Sequence, residues 1–121
     1  MTTPTPNPDF IYKIASAENF AAAKAAGTYT GMPIDAQDGF IHFSTAAQLA
    51  ETLSLHFKGQ TGLVLFSVRS AEIGAKLVWE ASRGGNLFPH VYGHFPMAAV
   101  AWQGTVDVGP DGSVALPAEV I

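Results

Sequence analysis

The spacing of apolar and polar positions changes several times along this chain, and each change predicts an element. Phe10, Ile11, Tyr12, Lys13, Ile14 and Ala15 form a β-type run. Ser16 then opens an alanine-rich stretch over 17–26 that Gly27 closes, which predicts a helix with a serine N-cap and a C-terminal glycine. Residues 28–38 carry Gly31, Pro33 and Asp35 and suit a loop, and Asp38-Gly39 is a turn ahead of a strand over 40–44. From Thr45, the residues Ala46, Leu49, Ala50, Leu53 and Phe57 fall on one helical face, with Gly59 as the stop and Thr45 with Gln48 as a capping box. Residues 63–68 are continuously apolar and predict a central strand. Further on, 70–74 suits a helical turn, 77–80 a strand and 82–88 a glycine-containing loop. Residues 89–92, 98–103 and 105–108 suit strands, and a turn at Pro110-Asp111-Gly112 leads into 114–116.

Two early helices followed by many short strands predict an α+β fold in a single compact domain, with the helices packed on a mostly antiparallel β-structure. The length of 121 residues fits one domain over 10–121 behind a flexible lead-in over 1–9. That lead-in has three prolines and no basic residue, unlike a signal peptide. Cysteine is absent, which removes disulfide and thiolate chemistry and suits a reducing compartment, so a soluble cytoplasmic protein is expected. No apolar run approaches the roughly 20 residues needed to span a bilayer, so no membrane is expected as a partner. The net charge is −4 and the six basic residues are scattered, which argues against duplex nucleic acid but leaves room for a small nucleotide-like or anionic ligand.

Charged residues make up 13% of the chain, against roughly a quarter in an average soluble domain. The few that interrupt apolar stretches therefore stand out, because a charge buried alone is costly. In the 40–44 strand, alternation places His42 on one face with Phe40 and Ser44, at the end that feeds the next helix. Free N–H groups at that helix start, with the hydroxyls of Ser44 and Thr45, suit a phosphate or carboxylate, and His42 suits acid–base work. A core histidine beside two capping hydroxyls fits the same residues. Asp38 is a candidate to orient His42, whereas Asp35 suits a plain turn residue.

The second stretch runs from Trp79 to Gly93. Between Leu77 and Val106 the only charged residues are Glu80 and Arg83. Gly84 and Gly85 permit backbone that points N–H groups at an anion, and Arg83 adds a fork of donors. Trp79, Phe88 and Tyr92 offer surfaces for a ring to stack on, and His90 is a second candidate acid or base. A structural Glu80–Arg83 bridge on an ordinary loop is the alternative. His90 and His94 are four apart, but Pro89, Gly93 and Pro96 speak against a helix there, so no metal is expected. His94 and His56 suit surface or structural roles.

Together, the run from Gly39 to Thr45, then Gln48-Leu49, His56-Phe57, Trp79-Glu80, Arg83 and the run from Leu87 to Gly93 resemble the family known as domain of unknown function 952. The resemblance runs from about Ile11 to Val108. It implies kinship with the ADP-ribosyltransferase-like superfamily, a split and strongly bent β-structure, and a cleft for NAD, taken as substrate, or for a related phosphorylated compound. It also implies that His42 with Ser44 and Thr45 is the histidine motif of that superfamily, and that Tyr92 stacks on a base. No glutamate lies between Arg83 and Glu119, and Glu80 precedes Tyr92, so the glutamate-dependent transferase order is not kept. A 2′-phosphotransferase-like reaction resting on His42, Arg83 and His90 fits better. The alternative is a non-catalytic nucleotide or small-anion binding module.

Overall fold

A computed structural model describes residues 9–120, apart from the side chain of Arg83; the expected lead-in therefore lies almost wholly outside the described residues. The fold is α+β, with antiparallel pairing throughout three separate sheets. Strands β1 (Phe10–Ala15), β4 (Leu63–Arg69) and β8 (Val100–Val106) form the first sheet, with β4 in the middle. Strands β2 (Thr28–Tyr29) and β7 (Phe95–Pro96) form the second. The third orders β3 (Ile41–His42), β6 (Leu87–Val91) and β5 (Leu77–Ala81), with β6 in the middle.

The first sheet divides two cores. Along β4, Val64, Phe66 and Val68 face one cluster with Ile11, Tyr29, Phe43 and Phe95, while Leu63 and Leu65 face a second with Tyr12, Ile14, Leu49 and Leu53. Residues 63–68 are continuously apolar because both faces of this strand are covered, as the sequence pattern predicts.

Helix α1 (Ala17–Ala26) starts and stops where expected. The Ser16 side chain accepts from the amide of Asn19, and Gly27 takes a left-handed φ of 80°. Helix α3 is shorter than its apolar pattern suggests. Thr45 and Gln48 form the expected capping box, but the first turn over Ala46–Gln48 is 3-10, α3 itself is Leu49–His56, and Ala50 is exposed. Two further helices are present, α2 (Pro33–Asp38) and the single turn α4 (Ser70–Ile73). Helix α2 corrects the expected loop over 28–38. Pro33 sits at its first turn, where a missing N–H costs nothing, and its buried residue is Asp35 rather than an apolar one. Residues 87 and 88 belong to β6 rather than to a loop. The two expected late strands are one, β8.

One junction between sheets positions the site. Just beyond β3, the Phe43 amide still donates to the Pro89 carbonyl of β6. One residue on, Ser44 and Tyr12 exchange amide–carbonyl bonds of 2.8 Å each, so the chain crosses from the third sheet onto β1. This crossing lets Lys13 of β1 and His42 of β3 reach the same oxygen of Asp35.

Candidate functional site

Alternation along β3 buries Ile41 in the first core and turns His42 the other way. Across the ladder, His42 pairs in register with His90 of β6, and their rings meet edge to face with centroids 5.6 Å apart. Phe40 covers both. Its ring stacks on His90 at 4.2 Å, lies 4.7 Å from His42 and touches Tyr92 at 5.3 Å.

The two imidazoles have different partners. His90 is buried, and its Nδ1 lies 2.7 Å from Oε1 of Glu80 on β5. The Tyr92 hydroxyl donates to the same oxygen at 2.7 Å. A carboxylate can only accept, so Nδ1 of His90 carries the proton, and Nε2 has no partner among the described residues. The hydrogen bonds from His90 and then Tyr92 hold the Glu80 carboxyl below its ordinary range, and the bond to Glu80 pushes the Tyr92 phenol up.

His42 is half-exposed and has a carboxylate at each nitrogen: Asp35 Oδ1 at 2.6 Å from Nδ1 and Asp38 Oδ2 at 3.0 Å from Nε2. Only the doubly protonated ring can donate to both at once.

Asp35 anchors this arrangement. It is buried, and it accepts from the ammonium of Lys13 (2.8 and 3.1 Å), from the amides of His42 (3.0 Å) and Met32 (2.6 Å), and from the His42 ring. Burial alone would raise its pKa. The His42 hydrogen bond and the Lys13 charge outweigh that and hold it at about 2. Burial lowers the pKa of Lys13, with Asp35 opposing the shift. Reading Asp35 as a plain turn residue is thus corrected. What reveals its role is Lys13, 22 residues earlier, and that neighbour exists only once β1 and β3 meet.

His42 and His90 line a cleft of about 740 Å³ together with Asp38, Ser44, Thr52 and Ser82. Lys13, the apolar Tyr12, Phe43, Phe57 and Phe88, and Met32 and Ile34 of the α2 region also line it. His56, expected to be a surface or structural residue, also lines it. The Ser44 and Thr52 hydroxyls are 3.2 Å apart.

Other expected site residues lie elsewhere. Trp79 packs against the first core, opposite the face that Glu80 presents, and offers no stacking surface in the cleft. The Thr45 hydroxyl accepts from the Gln48 amide, and the Thr45 amide donates to the Gln48 side chain, so this helix start satisfies itself rather than waiting for a phosphate. Gly84 and Gly85 have φ of 68° and 79° and lie outside the cleft, and the Gly85 amide closes the β5–β6 turn onto the Ser82 carbonyl at 2.8 Å. The placing of the Arg83 side chain and its pairing with Glu80 lie outside the described residues. Among the described residues, no three His, Asp or Glu side chains are grouped to hold a metal ion.

These features define a small antiparallel α+β protein whose two strand histidines, His90 on one carboxylate and His42 between two, line a cleft. The chain belongs to the family described as protein of unknown function DUF952, whose model matches residues 14–103. It is similar to the crystal structure of protein CC0527 from Caulobacter crescentus, at 42% identity and a TM-score of 0.82, covering 88% of this chain and 93% of that one. The solution NMR structure of CC0527 gives 43% identity and a TM-score of 0.76, over 88% and 91% of the two chains. No curated protein matches.

Proposed function

We propose that the cleft is an acid–base catalytic site acting on a nucleotide-like or phosphorylated small molecule, with His90 as the proton acceptor and His42 as the proton donor. The observation that carries this reading is the pairing of two imidazoles in one cleft with opposite hydrogen-bond settings. His90 is oriented by Glu80, with no partner at Nε2 among the described residues, and His42 is held between two carboxylates. Two imidazoles within one cleft, one with a nitrogen left to accept and the other with its N–H groups directed at carboxylates, can divide the base and acid roles between them. The cleft volume suits a nucleotide, and its aromatic walls suit a base or nicotinamide ring. The kinship with the ADP-ribosyltransferase-like superfamily that the sequence resemblance implies points the same way. NAD, ADP-ribose and 2′-phosphorylated nucleotides are therefore the first substrates to test, with Arg83 supplying the guanidinium for phosphate. A histidine-based phosphotransfer is favoured over the glutamate-dependent reaction, because Glu80 is engaged with His90 and Tyr92. No helix among the described residues is long and apolar enough to cross a membrane, and the absence of cysteine favours the cytoplasm as the working compartment.

A test is to heat the protein with each of these compounds and to follow nicotinamide or phosphate release. Wild type gains thermal stability with at least one of them. His90→Ala and His42→Ala fold, and each loses turnover by about a hundredfold or more, the usual range for a general acid or base. Absence of any thermal shift with all of them overturns the reading. A non-catalytic binding module is the second reading. It is favoured by the occupation of both His42 nitrogens, and a ligand that binds but stays intact through long incubation would establish it.

A further inference from the structure

We infer that Asp38 is a removable occupant of the ligand's anion subsite: a phosphate or carboxylate oxygen of the ligand displaces it from Nε2 of His42. This rests on reading the cleft as a ligand site and adds which group of the ligand binds where. The two carboxylates on His42 differ in how easily they can leave. The Asp35 side chain is 1% exposed and also engaged by Lys13 and two backbone amides, so it is fixed. The Asp38 side chain is 40% exposed, and His42 is its partner in the structure. Rotation into water keeps the Asp38 carboxylate hydrated, and it vacates a position in which an oxyanion accepts from the His42 ring.

The position of Asp38 supports the same conclusion. It is the last residue of α2, directly before the left-handed Gly39, and that last turn contains no basic residue. A carboxylate at a helix C-terminus faces the negative end of the backbone dipoles, so the location is electrostatically poor for it. The His42 contact offsets this disadvantage, and an incoming oxyanion that takes over the contact releases Asp38 toward solvent. Asp38 also lines the cleft beside His42, so the displaced position is continuous with the space the ligand fills. In this arrangement Asp38 competes with weak anions for the His42 contact and helps keep the ring oriented until a ligand arrives.

The test uses the full chain and diethyl pyrocarbonate, which acylates free imidazole nitrogen, with each histidine read separately by mass spectrometry. Asp38→Ala speeds acylation of His42 by about tenfold, the scale of losing one charge-assisted hydrogen bond at a half-exposed site, while His90 changes by less than about twofold. Asp38→Asn keeps the side-chain shape without the charge and gives an increase of about threefold. Inorganic phosphate is the probe for the vacated subsite: the concentration that half-protects His42 falls by about fivefold or more in Asp38→Ala relative to wild type. Unchanged His42 acylation in both variants, or phosphate protection that needs as much phosphate in Asp38→Ala as in wild type, overturns the inference. These readouts require no turnover. If they succeed while no nucleotide is processed, Asp38 occupies an anion subsite and the catalytic reading fails. If nucleotides are processed while His42 acylation is unchanged, the catalytic reading survives and the role of Asp38 falls.

Discussion

Asp35 carries more of this structure than any other polar residue described. It neutralises the buried ammonium of Lys13, caps the start of α2 and orients the ring of His42. Removing it leaves a charge uncompensated in the protein interior, and losses of about 3–5 kcal/mol are usual when one partner of a buried pair is deleted. Asp35→Ala should therefore lower stability in chemical denaturation by an amount in that range, well beyond the effect of a surface aspartate such as Asp107. The same residue gives the protein an acid limit. The Asp35 carboxyl titrates at about 2 when folded, against an ordinary value of 3.8, so its contribution is complete above the unfolded pKa and is lost as pH falls through the folded one. A shift of this size corresponds to about 2 kcal/mol. The melting-temperature gap between wild type and Asp35→Ala should narrow as pH drops from about 5 to about 2, and a gap that stays constant over that window would contradict the assignment.

The elements differ in how far local sequence specifies them. Strand β1, helix α1 and the buried strand β4 follow from periodicity and capping alone, because their partners only complete what the pattern already states. Helix α2 does not. It is six residues long, begins with proline and buries an aspartate, so no apolar face announces it. The site shows the same division. Alternation along the 40–44 strand made His42 legible as a candidate, the charge-poor stretch from Trp79 to Gly93 did the same for His90, and the short reach from Asp38 to His42 was legible too. The roles of Lys13 and Phe40 were not, since Lys13 depends on the bridge between two sheets and the stacking of Phe40 on His90 depends on the pairing of β3 with β6. Thr45 shows local chemistry misleading in the other direction. Its hydroxyl and the helix start beside it suggest a phosphate site, yet both serve the capping box. Thr45→Ala should cost about 1 kcal/mol of stability, as lost N-caps do, and leave the binding of any nucleotide that stabilises wild type unchanged. A large loss of affinity with no loss of stability would restore Thr45 to the ligand site.

At the scale of the whole molecule, one strand serves two cores. Phe66 of β4 contacts the rings of Phe20, Tyr29 and Phe43 on one side, while Leu65, the next residue, is fully buried on the other. Neither core can lose this strand without exposing the opposite face of the other, so separate melting of the two halves is disfavoured, and a domain of this size is expected to unfold in one step. The two tryptophans report on the halves independently, because Trp79 packs against the first core and Trp102 against the second. In Trp102→Phe the remaining fluorescence follows the core behind the histidine strands, and in Trp79→Phe it follows the core beneath α3. Within each variant, fluorescence and far-ultraviolet circular dichroism should give one denaturation midpoint. Phe66→Ala, introduced into either background, should shift that midpoint for both probes together, with a loss of about 3–5 kcal/mol. Trp79 unfolding ahead of Trp102 would mean that the cores are separable. The cleft, whose walls include Phe43 from the first core and Tyr12 and Phe57 from the second, would then depend on the links between the two sides, among them the bridge between Tyr12 and Ser44, the ion pair of Lys13 with Asp35 and the hydrogen bond from the Gln48 side chain to the Leu87 carbonyl.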